Sequence, residues 1–251
     1  MKPSENTQLA RINELQEKVL ALHLFEGHKF VLFRKYYRLA LTWTSNAIEG
    51  SSYNESETKI LLEDGITIGG KTLRDTFATL GHAKAFDYMF TLLQQKTLSE
   101  KDILAMHGMM QGGLETEEAG TYRSESVFVT GSDFKFPSSK AAPKLMGELF
   151  EKTMPGMQNL HPVVQAARFH KEFVYIHPFG DGNGRIARLG MNTILLQHGF
   201  LPVQIHPVIR QEYIDALRLA QSDDTVFVNL ILQQQIESQK KILRLFDDSE
   251  Q

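Results

Sequence analysis

Residues 177–188 read His177-Pro178-Phe179-Gly180-Asp181-Gly182-Asn183-Gly184-Arg185-Ile186-Ala187-Arg188, with an apolar helical pattern running on behind them. Three glycines within five positions, Gly180, Gly182 and Gly184, ahead of that pattern describe a loop feeding the start of a helix. Such a place binds anions, because the first N–H groups of a helix have no intrahelical partner and the helix dipole favours negative charge there. Arg185 and Arg188 are three apart, share a helix face and can converge on one polyphosphate. Asn183 can offer its amide to a phosphate oxygen. Asp181 can reach a Mg²⁺ ion shared with nucleotide phosphates, as that ion takes few carboxylates and several phosphate oxygens. His177 titrates near neutrality and can accept a proton from an attacking hydroxyl.

Outward from this segment the chain reads as helix almost throughout. Leu9, Ile12, Leu15, Val19 and Leu22 recur at three- and four-residue steps, and Phe30, Phe33, Tyr37, Leu41 and Ile48 continue that spacing over 29–48 up to Gly50. The same periodicity predicts helices over about 54–63, 75–95, 99–110, 139–153, 160–175, 184–198, 207–221 and 224–246. Ser124 to Phe136 differs: Val127 and Val129 alternate with polar residues before Gly131-Ser132-Asp133, which predicts a β-hairpin closed by Pro137. The glycine-rich stretch 64–72 is the one plausible internal boundary, dividing an N-terminal helical region, 1–65, from a larger region, 66–251.

Composition excludes more than it identifies. The 251 residues carry 27 Lys and Arg against 30 Asp and Glu, a net charge of −3, which argues against a protein that coats nucleic acid. Cysteine is absent, so disulfides, thiol nucleophiles and zinc–thiolate sites are excluded. The polar N-terminus shows no targeting signal and no apolar run is long enough to cross a bilayer, so a cytoplasmic protein without a membrane partner is expected. His82, His107 and His161 lack metal-ligand spacing and read as structural. The roughly sixty residues after the motif helix leave no room for an appended DNA-binding domain.

The 177–188 segment resembles the signature of the Fic domain family, His-x-Phe-x-(Asp/Glu)-Gly-Asn-Gly-Arg-x-x-Arg, at every fixed position. The resemblance extends to His170–Ile176 and to Gly120-Thr121-Tyr122-Arg123 through Pro137, and covers roughly 30–235. It implies a mainly α, Fic-type helical bundle with a small β-hairpin flap. It further implies transfer of a nucleoside monophosphate, usually AMP from ATP, to a protein Tyr, Ser or Thr hydroxyl with release of pyrophosphate. In that family's terms His177 is the general base, Asp181 the Mg²⁺ ligand, and Gly182, Asn183 and Gly184, with Gly180 beside them, the phosphate cradle. Arg185 then holds the outer phosphates, Arg188 the γ-phosphate, and Tyr213 lines the adenine pocket. Phe179 anchors the loop in the core. The flap, with Val127, Val129 and Gly131, aligns an extended target segment by main-chain pairing.

A second motif, Ser45-Asn46-Ala47-Ile48-Glu49-Gly50, resembles the (Ser/Thr)-x-x-x-Glu-(Gly/Asn) sequence by which Fic proteins inhibit themselves. It implies a bidentate Glu49–Arg188 pair that occupies the fork needed by the γ-phosphate. Three alternatives stay open: removal of AMP by the same fold, a different nucleotide donor, and a non-catalytic nucleotide-sensing module. A homodimer is compatible with the sequence.

Overall fold

The computed structural model describes residues 3–113, 118–127 and 135–246. Its helices are α1 (Pro3–Leu20), α2 (Gly27–Ile48), α3 (Glu55–Lys59), α4 (Leu73–Thr91), α5 (Glu100–Gln111), α6 (Ala142–Glu148), α7 (Met154–Gly156), α8 (Pro162–Ile176), α9 (Asn183–Gln197), α10 (Arg210–Leu219) and α11 (Thr225–Phe246). The mainly helical class expected from periodicity is observed. Among the described residues no helix is long and apolar enough to cross a membrane.

Local chemistry explains the helix starts. Ser99 opens α5 with a reciprocal box, its hydroxyl accepting from the Asp102 N–H while the Asp102 carboxylate accepts from the Ser99 N–H. Thr72 caps α4 by accepting from Asp75 N–H at 3.0 Å. Pro162 occupies the first turn of α8, where its missing N–H costs nothing.

Two expected helices are interrupted. The stretch expected over 54–63 widens after α3 into a π-turn, Ile60–Asp64, and stops at Gly65, whose φ is 69°. The stretch expected over 139–153 splits into α6, a π-turn over Leu149–Thr153 and the short α7, which carries Pro155. The expected hairpin is not observed. Its described ends, 124–127 and 135–136, are not strand, and its middle, including Val129 and Gly131, lies outside the described residues. At those ends the carbonyls of Glu125 and Pro137 both accept from the Arg123 guanidinium instead of from a facing strand.

One apolar core runs from Leu9 of α1 to Ile242 of α11. Its centre holds Phe86, Ile103, Phe169, Phe173, Ile186 and Phe227, each fully buried. The α8–α9 and α4–α5 pairs pack closely. A Cβ on Gly81 of α4 would lie 2.1 Å from the Met110 carbonyl oxygen of α5, a main-chain atom with no room to yield. Gly81→Ala is therefore expected to sit at the costly end of overpacking, about 3 kcal/mol, and to lower Tm by roughly 5–10 °C in a chain of this size. Thermal unfolding followed by circular dichroism checks it; an unchanged Tm would contradict this helix contact. These two pairs, with the C-terminal end of α2, bring the site residues together.

Candidate active site

Helix α8 ends because His177 turns into the left-handed region, φ 49° and ψ 58°, a conformation uncommon for a residue with a Cβ. Its ring is fixed by a 3.1 Å contact between Nδ1 and the Val174 carbonyl. A carbonyl only accepts, so Nδ1 carries the proton and Nε2 keeps its lone pair. Burial lowers the pKa of His177 to about 4; the Val174 contact and the carboxylates of Glu49 and Asp181 oppose this, while Arg123 adds to it. At pH 7 the imidazole is neutral and able to accept a proton.

The loop that follows is held from two sides. Phe179 is fully buried and stacks on His107 with ring centroids 3.7 Å apart. His107 accepts from the Gly120 N–H at Nδ1, so its Nε2–H donates to the Asp181 carbonyl at 3.2 Å. From the other side, the Asn183 side chain accepts from Phe179 N–H at 2.9 Å and donates to Phe179 O at 2.8 Å. Both polar atoms of that carboxamide engage the loop's own backbone, so the side chain shapes the loop, and Asn183 also lines the cavity beside it. Gly182, with φ 82°, makes the turn into α9, whose first backbone bond is Ile186 N–H to Gly182 O at 2.9 Å. The N–H groups before it lack an intrahelical partner and form the anion-binding end of α9.

Arg188 is buried, yet carries four hydrogen bonds. Nε donates to Ser45 Oγ at 2.9 Å, Nη2 to Ser45 O at 2.9 Å and to Glu49 Oε1 at 2.6 Å, and Nη1 to Tyr213 Oη at 3.3 Å. Burial works against its charge, but Glu49 and Tyr213 outweigh that and raise its pKa. Ser45 and Glu49 of the second motif thus both meet Arg188. The Glu49 contact is a single one through Oε1, because Ser45 and Tyr213 take the rest of the fork. Glu49 sits at the C-terminal end of α2, where the helix dipole disfavours a carboxylate, and Arg188 offsets that. The carboxylate also lies on the loop: a Cβ on Gly184 would be 2.4 Å from Glu49 Oε1.

Asp181 is ion-paired with two arginines, Arg185 at 3.2 Å and the exposed Arg74 of α4 at 3.3 Å, and accepts from Gly182 N–H at 2.6 Å. Burial pushes its carboxyl up, and these three partners more than reverse that, so its pKa is lowered. Arg185 is nearly buried and turned toward Asp181 and Asn46, away from the cavity wall.

The cavity measures about 450 Å³, within the usual range for small-molecule sites. Its lining takes His177, Gly180, Asp181, Gly182, Asn183, Gly184 and Arg188 from the loop and α9, and Glu49 from the end of α2; Val127, Phe136, Val174, Tyr175, Ile214 and Leu217 add apolar surface, with Arg218 and Gln221 beside them. Tyr213 reaches the wall but is almost wholly buried, its hydroxyl 2.9 Å from His170 Nε2. Since the hydroxyl accepts from Arg188, it donates to His170, giving the chain Arg188–Tyr213–His170.

Several of these roles were invisible in the sequence. Arg74 carries no motif signal, and Arg123 is marked only as part of the Gly120-Thr121-Tyr122-Arg123 resemblance, which says nothing of its contacts. His107 reads as structural, and its structural task is to hold the catalytic loop.

Burial depresses His82 and His170 to about 3 and His107 to about 4, with nearby arginines contributing to each. In the unfolded chain these groups take protons near pH 6.5. The unfolded state therefore binds more protons between about pH 6.5 and the folded values, and stability falls as pH drops through that window. The expected loss by pH 5 is on the order of 2 kcal/mol per buried histidine. Urea unfolding at pH 7.5 and pH 5 checks this; equal stabilities would contradict neutral burial.

Residues 97–195 match the Fic/DOC family. The chain carries a Fic/DOC domain. The matched segment runs from the entry to α5 through most of α9 and contains the whole 177–188 loop, while Glu49 and Tyr213 lie outside it. Over 232 residues the chain is 34% identical to a Nematostella vectensis protein named protein adenylyltransferase Fic, covering 89% of this chain and 52% of that one. The Drosophila melanogaster protein of the same name is 36% identical over 183 residues, 72% of this chain and 37% of the relative. The chain spans about half the length of the curated relatives it matches. Among solved structures, a Fic-domain protein of Bacteroides thetaiotaomicron superposes with a TM-score of 0.85 at 26% identity, covering 94% of this chain and 98% of that one. Fic-1 from C. elegans superposes with a TM-score of 0.81 at 26% identity, covering 95% and 71%.

Proposed function

We propose that this protein transfers AMP from ATP to a Ser, Thr or Tyr hydroxyl of a target protein, and that Glu49 holds the activity in check. The observation that carries this reading is the free Nε2 of His177 in the lining of a cavity floored by the start of α9 and by Arg188. The target oxygen bonds to the α-phosphorus as its proton passes to His177 Nε2. The bond from that phosphorus to the α,β-bridging oxygen breaks, and pyrophosphate leaves. The backbone N–H groups of Asn183 and Gly184, at the start of α9, are assigned to the negative charge that develops in this step. The apolar lining residues Val174, Ile214 and Leu217 suit the nucleobase.

Asp181 fits a Mg²⁺ site, since that ion is commonly held by one or two carboxylates completed by substrate phosphates and water. Among the described residues no group of three or more His, Asp or Glu side chains that could hold a metal ion by itself is found. Bound there, Mg²⁺ would supply charge neutralisation for the phosphates. Arg74 and Arg185 balance the Asp181 charge in the nucleotide-free protein. The segment around Val127, Val129 and Gly131 is assigned to the target, held in extended form by main-chain pairing.

ATP labelled at the α-phosphorus, compared with ATP labelled at the γ-phosphorus, tests the reaction. Glu49→Gly in cell extract is expected to place only the α-label on protein. Retention of the γ-label would mean phosphoryl transfer, and absence of both labels would remove the transferase reading.

A further inference from the structure

We infer that Arg123 is a positioning residue that locks the backbone of the general base to residues 125 and 137, close in sequence to the cavity-lining Val127 and Phe136. Its guanidinium makes three hydrogen bonds in three directions: Nε to the His177 carbonyl at 2.8 Å, Nη1 to Glu125 O at 2.8 Å and Nη2 to Pro137 O at 2.5 Å. Its own N–H donates to Pro178 O at 3.0 Å. Two consecutive carbonyls at the head of the loop are thus held by one residue, which also joins residue 125 to residue 137.

Arg123 is 3% exposed, and every hydrogen-bond partner it has among the described residues is a main-chain carbonyl. A buried cation surrounded by carbonyl dipoles is costly unless its geometry is required. The requirement lies at His177. That residue holds a left-handed backbone conformation at φ 49°, and such a conformation persists only where surrounding contacts enforce it. Arg123 binds the carbonyl on that residue and on the next. Phe136, one position before the clamped Pro137, packs its ring 4.1 Å from the imidazole. The clamp therefore sets the orientation of His177 and its distance from Phe136, which lines the same cavity. Only a planar fork can reach three divergent carbonyls; a lysine ammonium keeps the charge but not the geometry.

The catalytic consequence rests on the transferase reading, whereas the clamp itself does not. The test uses Arg123→Lys and Arg123→Met in the Glu49→Gly protein, at a temperature where each variant is folded. Amide exchange over 124–127 and 135–138 is expected to rise at least tenfold in both variants. ATP affinity by calorimetry is expected to stay within twofold, while turnover from α-labelled ATP falls at least tenfold and lysine does not rescue it. A residue that only stabilises the fold would lower Tm without separating turnover from affinity. The inference is overturned if exchange in the two arms is unchanged, or if ATP affinity falls in step with turnover. Should Arg123→Met fail to fold, Arg123→Lys decides alone. Should the Glu49→Gly parent transfer nothing, the transferase reading fails, and exchange and affinity still decide the clamp.

Discussion

Glu49→Gly is expected to raise the rate of AMP transfer by at least about 100-fold over the unaltered protein, measured as α-label incorporated per minute at saturating ATP and Mg²⁺. The estimate follows from what Glu49 occupies. Its Oε1 lies 2.6 Å from Arg188 Nη2 and close to Gly184, so on the proposed reading one carboxylate would block both a guanidinium fork and the phosphate cradle. A triphosphate bound beside it is displaced from in-line geometry, and misplacement on the scale of 1 Å costs about 10²-fold in rate. Removing the carboxylate leaves Arg188 with Ser45 Oγ, Ser45 O and Tyr213 Oη, so the buried cation keeps most of its partners. Glu49 is 41% exposed on its side chain, which places the stability cost nearer the modest value of surface pairs than that of buried ones, about 1 kcal/mol. Activation is therefore expected without unfolding. An unaltered protein already as fast as the variant would remove Glu49 from regulation.

His177→Ala in the Glu49→Gly background is expected to lose between about 10² and 10⁴ in turnover while keeping its ATP affinity within a few-fold, since a general base acts on the transition state and not on nucleotide binding. The pH dependence sharpens this. A base works when deprotonated, and burial holds the His177 pKa at about 4. The loss of the Glu49 carboxylate removes one of the groups that raise it, so the depression deepens in the active variant. The kcat/KM of Glu49→Gly, which reports the free enzyme, is expected to stay flat from about pH 7.5 down to about pH 5.5 for the folded fraction. An acid limb centred near 6.5 would show an exposed, ordinary histidine and contradict the site described here. Folded fraction must be measured alongside, because the buried histidines make the protein acid-labile over part of the same range.

The helical class and the loop at 177–188 could be read from spacing alone, because apolar periodicity and a Gly-rich run ahead of a helix are local signals. The meeting of Ser45 and Glu49 with Arg188, about 140 residues apart in sequence, rested on resemblance, and the geometry bears out the contact in a single-handed form. A bidentate pair fails because Ser45 and Tyr213 claim the remaining donors of Arg188. Asn183 carries a second task that sequence does not reveal: its carboxamide holds Phe179 N–H and O and so shapes the loop. Arg123 stands within the Gly120–Arg123 resemblance, but its contacts leave no trace in sequence, because its partners among the described residues are carbonyls, which every residue possesses. Arg74 pairs with Asp181 across the fold from an otherwise unremarked helix start. The π-turns at 60–64 and 149–153 break helices that periodicity runs together, since one extra residue per turn shifts the apolar face without removing it.

The claim that Arg188 is the γ-phosphate fork and that Glu49 occupies it is tested most directly by calorimetric comparison of ATP and ADP binding, with Mg²⁺, to the unaltered protein and to Glu49→Gly. A charge-assisted hydrogen bond contributes about 1.5–3 kcal/mol, which is roughly tenfold or more in affinity. Glu49→Gly is expected to bind ATP at least about tenfold more tightly than ADP, while the unaltered protein binds the two within about twofold. The same ATP-to-ADP ratio in both proteins would contradict it.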